Sequence, residues 1–198
     1  MAVCYAMVDL GTKYEDMYDK TIHKVLLTWE IPGERIEVER DGHKVKLPRA
    51  ISKHYTYSLH EKSTLRQDLQ SWRGRDFTED ELLDFDLKAV LGAPCQLNVI
   101  HKKDKAGTLK AKLATIVPAP KGTKLSPENP TVYFCLADLD EPVLPDNVPD
   151  WVKEEIQKSN EWDMLTKRAQ EQEEPPTGNV VQVGEGGPVD DDDDSCPF

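Results

Sequence analysis

Read as a pattern of apolar and polar positions, the first half of the chain is dominated by period-two segments. The run from Thr21 to Ile31 is rich in β-branched and aromatic residues and ends at Pro32-Gly33, so it predicts a strand. Arg35 to Arg40 alternates, Asp41-Gly42 follows, and His43 to Leu47 alternates again. Asp-Gly between two alternating segments predicts a hairpin, because both central residues of the favoured two-residue turn need positive φ. Beyond Pro48, the stretch Ile51 to His60 places Lys53, Tyr55, Tyr57 and Leu59 on one face and Ser52, His54, Thr56, Ser58 and His60 on the other.

The periodicity then changes to that of a helix. Ser63 is placed to cap residues 64–73, where Leu65, Leu69 and Trp72 recur at helical spacing and Gly74 supplies the stop. Thr78-Glu79-Asp80-Glu81 has the form of a capping box opening a second short helix, and Asp86 caps a third that ends at Gly92. Strand texture resumes at Gln96 to Lys102 and, after a polar turn, at Leu109 to Val117. Several strands, an intervening helix and a closing strand hairpin form the element order of a five-stranded Greek-key barrel, the oligonucleotide-binding or OB fold. The fold expected is therefore mainly β with short helices. The barrel occupies residues 1–140 and a short helical extension residues 141–168. Thr131 to Leu136 adds an edge strand, and a helix starts at Pro149-Asp150-Trp151 and runs to about Lys158. Residues 169–198 are Glu, Gln, Pro, Gly and Asp with few apolar anchors, too few to offset the entropy of ordering them, so a disordered acidic tail is expected.

Composition adds that one core is the default for 198 residues. With 38% hydrophobic and 31% charged residues and no apolar run of spanning length, a soluble protein of the cytoplasm is expected, within a bacterial host if phage-encoded. Cys4, Cys95, Cys135 and Cys196 form no C-x-x-C pair, so no zinc or redox site is expected. They read as reduced, three of them buried. The net charge of −12 argues against nucleic acid until it is divided by position. Residues 1–19 carry −3, residues 20–124 carry +6 and residues 125–198 carry −15. A basic middle joined to an acidic end is the asymmetry of a nucleic-acid binder with an interaction tail.

The terminus itself is the most specific motif: Asp190, Asp191, Asp192, Asp193, Asp194, Ser195, Cys196, Pro197, Phe198. It resembles the tails of bacterial single-stranded DNA-binding proteins, which end in an Asp run and a Pro-Phe pair. Residues 1 to about 165 resemble phage-encoded OB-fold single-strand binders. That resemblance is carried by IHKVLLTWEIP, LPRAISKHYTYSLHEKSTLRQDLQSWRGRDFT, GAPCQLNVIHKKDKAGTLKAKLATIVPAPKG and PDWVKEEIQKSNEW. The likeness implies sequence-independent binding of single-stranded DNA in replication, recombination or repair. It also implies that Pro197, Phe198 and the Asp run recruit partner proteins, the ring and α-carboxylate entering a pocket with a basic rim.

Two basic clusters beside the strands fit that expectation. Candidate DNA contacts are Lys44, Lys46, Arg49, Lys53, Arg73 and Arg75 in the first, and Lys102, Lys103, Lys110 and Lys112 in the second. Tyr55 and Tyr57 suit a stacking platform around Lys53 and suit the core equally, whereas Trp29 and Trp72 read as buried. Asp84 and Asp86 before Lys88 are the nearest approach to a metal-nuclease set, but on the helical reading they are a surface residue and a cap. With no phosphate loop, nucleophile elbow or metal-ligand spacing, neither enzymatic activity nor a cofactor is expected. The competing class is an adaptor that binds protein and mimics DNA with its acidic surface.

Overall fold

An N-terminal strand that the alternation pattern did not reveal is the centre of the structure. The computed structural model describes residues 1–16, 19–40, 42–104 and 106–173. β1 (Ala2–Glu15) pairs antiparallel with β2 (Lys20–Arg40), and β2 pairs with β3 (His43–Thr56). The first residues of β1, Ala2 and Val3, pair antiparallel with β4 (Pro94–Lys103), which pairs with β5 (Leu109–Pro118). The short β6 (Val132–Phe134) joins β1 in parallel at Ala6 to Val8. The result is a six-stranded, mostly antiparallel sheet in the order β3-β2-β1-β4-β5, with β6 off that path on β1. It curls until its two ends, β3 and β5, lie within 8 Å of each other (Cα–Cα).

The two segments read separately as Thr21–Ile31 and Arg35–Arg40 are one strand. The register of β2 against β3 slips between Ile31 and Arg35, leaving residues 32–34 as a bulge around Pro32-Gly33. Beyond it the hairpin continues as an exposed arm to Arg40 paired with His43. Gly42 has φ +75° as the turn requires, while Asp41 lies outside the described residues.

α1 (Thr64–Arg73) has the expected bounds. The Ser63 side chain accepts from the Arg66 N–H, and Gly74 ends the helix at φ +69°. The Thr78–Glu81 capping box is formed and opens α2 (Glu79–Leu83). Asp86 caps a 3-10 turn, Leu87–Val90, in place of a full α-helix. α1 lies between β3 and β5 and seals the inside of the curl. There Val25, Leu27, Trp29, Tyr55, Leu65, Leu69, Trp72, Leu113 and Ile116 form one buried cluster.

A second cluster covers the opposite face of β1 and β2. Ala6, Val8, Leu10 and Leu26 pack against Val132, Phe134 and Leu136, and against α3 (Asp150–Ile156) through Val152 and Ile156. α4 (Asn160–Glu173) continues this layer through Trp162 and Leu165, and reaches five residues into the span expected to lack structure. Two contacts lock the layer down. The carboxylate of Glu30, wholly buried, accepts from the backbone N–H groups of Glu128 and Asn129 and from Asn129 Nδ2 at 2.6–2.8 Å. Gly11, at φ +69°, lies so close to α4 that a Cβ there would stand 2.5 Å from Ser159 Cβ. Of the cysteines, Cys4 and Cys95 are buried and Cys135 is only half-buried, a correction to the expectation of three; Cys196 lies outside the described residues. No helix among the described residues is long and apolar enough to cross a membrane.

Candidate nucleic-acid interface

Because α3 and α4 cover the outer face of β1 and β2, and β6 extends the sheet beside β1, the open surface is shifted to the seam between β3 and β5. A groove of about 750 Å³ runs there. β3 contributes Lys53, His54 and Tyr55, the segment leading into α1 contributes His60 and Lys62, and β5 contributes Lys112. None of the residues lining it is acidic. A second depression, about 470 Å³, shares Ala111 with the first and continues the seam past Arg49 and His101.

The expected cations are not equivalent. Lys53 Nζ sits 2.5 Å from Asp68 Oδ2, with both side chains mostly buried. The same carboxylate oxygen accepts from Tyr55 Oη at 2.8 Å. Burial, the Asp68 charge and that hydrogen bond push the Tyr55 phenol far above its ordinary value. At 3% exposure Tyr55 is a core ring, which settles the choice between core and platform for that residue. Tyr57 is 38% exposed and meets His23 edge-on, with ring centroids 5.1 Å apart.

Arg73 and Arg75 converge on one carboxylate, Glu81, at 2.5 and 2.6 Å, and Arg73 also stacks on Phe77. The Arg75 hydrogen bond, with the Thr78 N–H and Arg73 behind it, holds the Glu81 carboxyl down at about 2. This triad belongs to the α1–α2 junction and contributes nothing to the groove lining. Lys44 and Lys46 stand on the exposed arm opposite Glu39 and Glu37. Lys110 pairs with Asp104 at 3.1 Å, and that contact lowers the Asp104 carboxyl. Among the described residues, Lys62, Lys102, Lys103 and Lys112 have no carboxylate within 4.0 Å. Lys62 and Lys112 are in the groove, and Lys102 faces Lys110 across the β4–β5 hairpin.

Sequence reasoning missed two features at this surface. Lys62 is absent from the expected contacts, because nothing local shows that the turn before α1 lies across the groove from β5. Trp151 looked like a helix-start residue, yet it is 47% exposed and its ring lies 6.3 Å from that of His54 on β3. The tail residues Asp190 to Asp194, Pro197 and Phe198 lie outside the described residues. Among the described residues no group of three or more His, Cys, Asp or Glu is arranged to hold a metal ion. Compared with known proteins, the chain matches no family model, no curated protein and no solved structure.

Proposed function

We propose that this protein binds single-stranded DNA, without reading sequence, along the β3–β5 seam of an OB-type barrel. We also propose that its C-terminal Asp run and Pro197-Phe198 recruit other proteins of replication, recombination or repair, in the phage or bacterial setting that the tail resemblance implies. The observation that carries the DNA reading is the groove itself, lined by three Lys and two His and by no acid. A single strand needs such a cationic track for its phosphates. The OB assignment is supported by the strand order β3-β2-β1-β4-β5, with α1 between β3 and β4 and the edges β3 and β5 brought together.

The cations available for phosphate are those without internal partners, so the binding track runs through Lys62 and Lys112 toward Lys102 and Lys103. Fluorescence anisotropy with labelled single-stranded and duplex oligonucleotides tests it. Single strands should bind far more tightly, with a log–log salt slope of about −3, as expected for roughly four phosphates at −0.7 each. Changing Lys62, Lys102, Lys103 and Lys112 together to Glu should abolish binding and leave the melting temperature nearly unchanged, because exposed charges contribute little to stability. Equal affinity for duplex, or a flat salt response, would reject the reading.

A further inference from the structure

We infer that Trp151 and the slot beside it, on the outer face of β2 and β3, receive one unpaired nucleobase from a strand lying in the adjoining groove. This rests on the single-strand reading and extends it to a defined subsite. The slot lies between the sheet and α3. It is lined by the apolar Val8, Leu26, Val132 and Val152 and by the buried Thr28, with the exposed Ser52 and Trp151 at its mouth. Its volume is about 190 Å³, below the roughly 300 Å³ at which pockets for drug-sized ligands begin, so it suits one ring system and excludes a whole nucleotide.

Three observations favour a base as the occupant. The slot and the cationic groove share Ser52, so a strand whose phosphates follow the Lys track passes the slot's mouth. Its polar lining is a cross-strand hydroxyl pair, Thr28 Oγ1 to Ser52 Oγ at 2.9 Å, in which either group donates. Hydroxyls can therefore serve donor or acceptor edges alike and tolerate any base. The rim is an indole left 47% exposed, with the His54 imidazole tilted toward it and held by Glu155 at 3.0 Å. An exposed indole next to a cationic groove is the arrangement on which a base stacks.

The experiment pairs indole fluorescence with anisotropy of a labelled oligonucleotide. Trp29 and Trp72 are buried and Trp162 is half-buried against the outer cluster, so quenching on addition of single-stranded DNA should come mainly from Trp151, the most exposed of the four. The quench should disappear in Trp151→Phe. Trp151→Ala should weaken binding about 5- to 150-fold, the equivalent of about 1–3 kcal/mol for one lost stack. Ser52→Leu, a change at an exposed position, keeps the indole but fills the slot and should produce a similar loss, while Trp151→Tyr should restore most of the affinity. Circular dichroism melts confirm that each variant is folded. Wild-type affinity in both Trp151→Ala and Ser52→Leu, or a quench that persists in Trp151→Phe, overturns the subsite while leaving the groove intact. No anisotropy change with wild-type protein rejects the single-strand reading itself, and the subsite with it.

Discussion

At the residue scale, burial separates side chains that look alike in sequence. Tyr55 and Tyr57 stand two apart in one segment, yet Tyr55 is a core ring fixed by Asp68 and Tyr57 is at the surface beside His23. Tyr55→Ala should therefore cost about 3–5 kcal/mol in chemical denaturation, as truncation of a buried aromatic does, with no loss of DNA affinity per folded molecule. The alternation of β3 could not decide this, because the inside of a curled sheet and a binding face have the same period. The same limit applies to Lys53, whose carboxylate partner is fifteen residues away on α1. His23 offers a pH test. Its hydrogen bond to buried Asp9, 2.6 Å away, raises its pKa, burial opposes this, and the Asp9 and Glu161 charges add to the rise. Stability from this contact is fully present below the unfolded imidazole value of about 6.5 and is lost as pH rises through the higher folded value. Thermal melts between about pH 6 and 9 should show a decline that His23→Gln lacks.

At the element scale, the signals that identified elements were those carried by short stretches of chain. The Ser63 cap, the Thr78–Glu81 capping box, the Gly74 stop and the β4–β5 hairpin all appear where the local pattern placed them. β1 escaped because it has no polar face over most of its length. Cys4 and Met7 enter the inner cluster, while Ala6, Val8 and Leu10 enter the outer one, so the alternation that marks a half-exposed strand is absent. In the outer layer the edge strand at Thr131–Leu136 and the helix from Pro149 were legible locally and appear as β6 and α3, but where they dock was not, for a related reason. Its residues, from Val132 to Leu165, are meaningful only against a sheet face whose strand had not been recognised. Gly11 is the most sensitive test of that docking. Gly11→Ala combines a strained positive φ with a 2.5 Å approach to Ser159, so α4 should release. Faster amide exchange in residues 160–173, with α1 still protected, is the expected result.

At the scale of the whole molecule, charge is divided by position. The described body carries the cations of the groove, and the Asp run sits at the far end of a 25-residue segment after Glu173. A short flexible tether gives the groups it joins an effective concentration of about millimolar. Deleting the last nine residues should leave DNA affinity unchanged or raise it, most visibly at low salt. On the proposed recruitment role, deleting Phe198 alone should hardly alter DNA binding but should abolish partner capture, because the ring proposed as the anchor is gone. Recovery of the same partners by the Phe198-deleted protein would reduce the tail to a solubilising charge run.

The closure of β1 by residues more than a hundred positions later also bears on how the protein is made. β1 leaves the ribosome well before the chain that covers its outer side, which ends at Leu165, 150 residues behind Glu15. At about 5–20 residues per second the nascent sheet waits roughly 8–30 s with Ala6, Val8, Leu10 and Leu26 uncovered. A message or polypeptide cut short before α3 would therefore leave a sticky, protease-sensitive fragment with Ala6, Val8, Leu10 and Leu26 uncovered.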